Sequence, residues 1–224
     1  MLLEEEKQME TEVAEKLVHA VAQYAEKMLG GEGFRYVSIV VANCKMLALQ
    51  RETQHEEDDT SVVDMDALII AAYLHDISTA SQGFQQHHLA SAQMAVEFLQ
   101  THHAPPELIT NVEQAILTHM TSRNAESATP LSLEGRILYD ADKLGRLSGL
   151  AVVTSLIEFG AHYTNRAVTG DMLAAMLRHI EERFIDLYQS LNTEPARDMA
   201  REKFSSTLAF LDGVIEHLSD ATPI

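Results

Sequence analysis

Apolar residues recur along nearly the whole chain at three- and four-residue spacing, and alternation of period two is almost absent. That pattern buries one stripe of a helix and cannot bury one face of a strand, so it predicts an all-α fold. The first amphipathic helix is expected over 4–29, with Val13, Leu17, Ala20, Val21 and Tyr24 on one stripe, ending at Gly30, Gly31 and Gly33. A second follows at 34–50, and the acidic run 51–60 reads as a loop. Asp64 is placed to cap a third helix at 65–75, apolar on most sides. After a loop at 77–86, further helices are expected at 88–101, 106–121 and 132–147, with Pro105 and Pro106 opening one and Ser132 capping another. A polar loop is expected at 122–131, then helices at 149–163, 171–190 and 194–218. No internal repeat is visible and the linkers are short, so the expectation is one helical domain over 1–224.

Charge then narrows the function classes. Asp and Glu number 34 against 16 Lys and Arg, a formal charge of −18. A field of that sign repels phosphate backbones and the basic residues do not cluster, which argues against a nucleic-acid polymer as partner. A small anion held by a local cation remains compatible with it. The single cysteine, Cys44, excludes an intrachain disulfide and lies in an apolar helical run. The acidic start carries no secretory pattern, and no apolar run is long enough to span a bilayer. A cytoplasmic protein is the expectation, and a homo-oligomer is left open.

Two places carry chemistry. The apolar helix at 65–75 ends in His75 and Asp76, in AAYLHDIS. Either they cap the helix and start a turn, or one divalent ion satisfies both, since imidazole and carboxylate are both metal ligands. The helix LEGRILYDADKLGRLSG places Asp140 and Asp142 in its interior, where Asp competes for backbone groups. Asp142 follows Ala141 at the edge of the apolar face and is expected inward, whereas Asp140 turns further out.

The ordered set LHDIS, HHLASAQMAVEFL, AILTH and LEGRILYDADKLGRLSG resembles the HD-domain metal-dependent phosphohydrolases, closest to the bacterial subgroup whose signature ends in a DADRLDA-like helix. The resemblance covers about 34–160, and 178–215, within the helical pair expected over 171–218, looks like the family's closing helical pair. It implies a helical bundle that binds a divalent metal (Mn, Fe, Co, Ni, Mg or Zn) and a small phosphorylated substrate such as a nucleotide. The metal ligands it implies are His75, Asp76 and Asp142, with Asp76 also the catalytic base. It puts Tyr36 where the family has an early His ligand, with His19 on the preceding helix as the alternative occupant, and Gly145 where the subgroup has Asp. A catalytically impaired protein with a binding or regulatory role is the rival that Tyr36 motivates. His88 and His119 match positions that in some such proteins hold a second metal or contact phosphate, and either can instead cap its helix. His87 is expected to be the exposed neighbour of His88, and Arg123 and Lys143 are the candidate phosphate contacts.

Overall fold

A computed structural model describes residues 2–54, 62–83, 85–121, 131–147, 149–162 and 169–220. Every regular element among them is a helix: α1 (Leu2–Gln54), α2 (Met65–Leu74), α3 (Thr79–Gln82), α4 (His87–Thr101), α5 (Pro106–Thr118), α6 (Leu133–Leu144), α7 (Gly149–His162), α8 (Gly170–Ser190) and α9 (Glu194–Asp220). The expected all-α fold is what the chain adopts. No helix among the described residues is long and apolar enough to cross a membrane.

The two helices expected at 4–29 and 34–50 are the two arms of α1, divided by a kink at Gly30. Gly30 has φ +70 and ψ 176, a non-helical backbone that glycine enters without Cβ strain, so the first helical arm ends there as expected and the second begins beyond it. The expected loop at 77–86 holds the short α3, and the expected loop at 51–60 is helical as far as Gln54, with 55–61 outside the described residues. Most of the loop expected at 122–131 also lies outside them.

The chain divides into two compact units, Met1–Asp142 and Lys143–Ile224, the division falling in the last turn of α6. In the first, α1 packs on α2, α2 on α5, and α4 on α5. Val37, Val40, Val41, Cys44 and Leu47 of α1 are buried, as are Leu68, Ile70, Ala71 and Leu74 of α2 and Ile116 of α5. In the second unit α8 packs on α9, with Tyr188 stacked on Phe204 at 4.3 Å and Thr169 capping α8 through Met172 N.

Two polar joints hold the helices that matter for the site. Asp64 caps α2, its Oδ1 accepting from Ala67 N at 3.0 Å. Its Oδ2 accepts from Asn111 Nδ2 of α5 at 2.9 Å, and its own N–H donates to Glu134 Oε1 of α6 at 3.0 Å. Three helices thus meet on one residue. At the C-terminal end of α6, Asn43 Nδ2 donates to Ala141 O at 3.1 Å, and the Tyr36 hydroxyl donates to the carboxylate of Asp142 and lies 3.3 Å from its carbonyl. A helix leaves its last four carbonyls without intrahelical donors, so these α1 side chains serve two of them. Gly135 permits a close crossing: an added Cβ would lie 2.0 Å from Thr118 Oγ1, beside His119 at the end of α5.

Candidate metal centre

Helix α2 stops at Leu74, and the next four residues form a tight turn in which Thr79 N and Thr79 Oγ1 donate to Asp76 O at 2.9 and 2.7 Å. This turn sets His75 and Asp76 at the end of a helix whose body is apolar. His119 follows Thr118, the last residue of α5. Because α2 and α5 touch at Asp64–Asn111 and again at His75–His119, they run in the same direction, and both C-terminal ends arrive at one place.

There His75, Asp76 and His119, all buried, form a group whose ligand atoms lie within 4.8 Å of one another. The rings of His75 and His119 are 5.1 Å apart, edge to face. Each imidazole is oriented by a carbonyl of its own helix: His75 Nδ1 lies 2.9 Å from Ala72 O, and His119 Nδ1 2.5 Å from Ile116 O. A carbonyl only accepts, so each contact places the proton on Nδ1 and leaves a lone pair on Nε2. That arrangement fixes the tautomer and ring plane of a metal-binding histidine.

The test of fit is the buried Nε2 of His75. It has no hydrogen-bond partner, although it lies 3.4 Å from Asp76 Oδ2. An unmatched buried acceptor costs about 1–3 kcal/mol, and here a lone pair also faces a carboxylate oxygen. A cation between the two atoms removes both penalties. Two donors about 2.1 Å from one ion at a tetrahedral angle lie roughly 3.4 Å apart, so the spacing suits shared coordination. The donor set of two imidazoles and a carboxylate fits a divalent transition ion better than Mg²⁺, which favours oxygen.

The other residues singled out by sequence fall in several places. Asp142 is buried as expected, but it lies outside this donor group among the described residues and receives the Tyr36 hydroxyl instead. Asp140, expected to turn outward, is 0% exposed, because α6 is buried all round from Ile137 to Leu144 and has no solvent face there. Lys143 is also buried. Arg123 lies outside the described residues, and Gly145 follows the end of α6. His19 is exposed and pairs with Gln23 on its own helix at 3.1 Å, which leaves it no part in the centre. Cys44 is buried, and desolvation together with Asp142 and Asp140 pushes its thiol pKa far up, so it is an inert core residue.

The histidine doublet is reversed from expectation. His87 is buried, its Nε2 3.1 Å from Asp76 Oδ1 and its ring 5.6 Å from that of His119. His88 is half-buried, and burial first, then His87, lowers its pKa. The helix begins at His87, not at residue 88, and one residue of register turns a side chain by about 100°. The mixed face of α4 hid that register.

Comparison with known proteins agrees with this architecture. The family model described as HD domain matches residues 18–147, more than half of the chain. A curated relative, the uncharacterized protein YpgQ of Bacillus subtilis, is 29% identical over 98 residues, 43% of this chain and 46% of that protein. The match thus spans less than half the length of that relative. A structure of Bacillus subtilis YpgQ in complex with ADP aligns over 92% of this chain and 96% of its own, with TM-score 0.65 and 18% identity. A Lactobacillus plantarum structure aligns over 92% and 99%, with TM-score 0.66 and 18% identity.

Proposed function

Given that the chain belongs to the HD-domain family, we propose that it is a metal-dependent phosphohydrolase acting on a nucleotide or another small phosphate ester. The observation that carries this reading is the buried Nε2 of His75, without a hydrogen-bond partner and set beside Asp76 Oδ2. In the proposal His75 and His119 hold the ion through Nε2 and Asp76 through its carboxylate. Asp142 enters as a further ligand once Tyr36 releases it. A bound divalent ion lowers the pKa of a coordinated water, polarises the phosphoryl oxygen and orients the ester.

The chain's own groups do the rest. Asp76 takes the proton of the attacking water as its oxygen bonds to phosphorus and the ester oxygen leaves. His75 and His119 keep their rings still through the Ala72 and Ile116 carbonyls, so little reorganisation accompanies the step. Lys143 and Arg123 are the proposed phosphate contacts, and the setting is cytoplasmic. A YpgQ structure with ADP supports nucleoside diphosphates as the first substrates to try. The test is phosphate release from ADP, ATP and p-nitrophenyl phosphate with added Mn²⁺, Co²⁺, Ni²⁺, Zn²⁺ or Mg²⁺. We expect turnover with the transition ions, weak turnover with Mg²⁺, and none in Asp76→Asn or with a chelator. No phosphate release from any ester with any ion contradicts the enzyme reading.

One observation favours a second reading, a binding or regulatory protein on the same scaffold. The Tyr36 hydroxyl occupies the Asp142 carboxylate, at the position where the family resemblance puts a histidine. A phenol gives up its proton only near pH 10, so it is a poor ligand in place of imidazole. Under this reading Tyr36→His tightens metal binding, and hydrolysis appears only in that variant. Turnover by the parent excludes it.

A further inference from the structure

We propose that His87 is the positioning residue that orients the Asp76 carboxylate for metal binding, an inference that rests on the metal-centre reading above. A carboxylate oxygen only accepts, so the 3.1 Å approach of His87 Nε2 to Asp76 Oδ1 places the ring proton on Nε2. With Oδ1 held there, rotation of the carboxylate is stopped and Oδ2 is turned to His75 Nε2, 3.4 Å away. His87 is outside the three-residue donor group, and its ring stands 5.6 Å from that of His119. In this role it acts on the ligand through its ring N–H.

The backbone around His87 is built to hold this contact. Ser78 Oγ donates to His87 O at 3.0 Å, Ser91 Oγ donates to Ser78 Oγ at 3.0 Å, and Ser78 N donates to Ser91 Oγ at 3.2 Å. Both serines are fully buried. This clasp ties the first turn of α4 to the turn that carries Asp76, so the imidazole and carboxylate have one relative placement. Gln86, immediately before, sits at φ +55, a left-handed conformation that a non-glycine residue keeps only when its surroundings impose it.

The test is a Co²⁺ titration of the full chain, read by visible absorption and by chelator competition. Parent, His87→Gln, His87→Leu and Ser91→Ala are compared. The Gln amide nitrogen reaches about as far as Nε2 and donates likewise. Loss of an outer partner of a metal ligand costs about 10–100-fold in affinity, and that is the weakening expected for His87→Leu. His87→Gln should stay within about threefold of the parent with an unchanged Co²⁺ spectrum, as the conservative donor restores the contact. Ser91→Ala should fall between them. Equal affinity in parent and His87→Leu overturns the inference and leaves the metal centre standing. A changed spectrum in His87→Gln overturns it too, because His87 is then a ligand. Failure of the parent to bind Co²⁺ overturns the metal-centre reading and this inference with it. If His87→Leu does not fold, His87→Asn, too short to reach Oδ1, takes its place with the same expected loss.

Discussion

Helices α2 and α5 meet at two polar points, and the two are satisfied in opposite ways. At the N-terminal end of α2, Asp64 accepts from Ala67 and Asn111 and donates its N–H to Glu134. At the C-terminal end, His75 and His119 each spend Nδ1 on a carbonyl, while the buried Nε2 of His75 is left unmatched beside a carboxylate. Both joints bring together polar groups of the same two helices. The first closes on itself and holds the helices in register. The second leaves a buried ring nitrogen open beside a carboxylate oxygen. A saturated joint serves the fold, whereas the open one is where a bound cation would gain most.

That contrast is open to being broken. The largest effect is expected from Asp76→Asn, which removes the charge between the imidazoles. Metal affinity should fall by more than the roughly 100-fold that outer partners cost, with the metal-free melting temperature unchanged or raised. Equilibrium dialysis and a melting curve read both. Next comes Gly135→Ala, whose new Cβ meets Thr118 Oγ1 at 2.0 Å. We expect about 1–3 kcal/mol of destabilisation and weaker metal binding, since the end of α5 must shift and carries His119. Pairing it with Thr118→Ala should recover part of both in denaturant titrations. The smallest combined effect is expected from Asp64→Ala. Losing the cap and leaving Asn111 without its acceptor should cost roughly 1–3 kcal/mol in unfolding, with metal affinity unaltered.

The legibility of each element in sequence follows from the same physics. The helices are written in apolar spacing, and the Asp64 and Ser132 caps are local signals that the structure keeps, Ser132 Oγ accepting from Gly135 N at 2.9 Å. His75 and Asp76 stand out because polar residues interrupt an apolar helix at its end. Periodicity fails on α6, where burial on every side erases the difference between Asp140 and Asp142. It also fails at the start of α4, where one residue of register decides which of His87 and His88 faces Asp76. The break at Gly30 is legible because glycine alone takes that backbone without Cβ strain. Contacts across 106 residues, such as Tyr36 with Asp142, leave no mark in local pattern at all.

The central claim is that the open joint is a metal site and the closed one is not. Metal stoichiometry by equilibrium dialysis with Mn²⁺ or Co²⁺, measured on the parent, Asp64→Ala and Asp76→Asn, tests it most directly. The account predicts one ion per chain in the parent, the same in Asp64→Ala, and none retained in Asp76→Asn. No ion in the parent, or equal retention in Asp76→Asn, contradicts it.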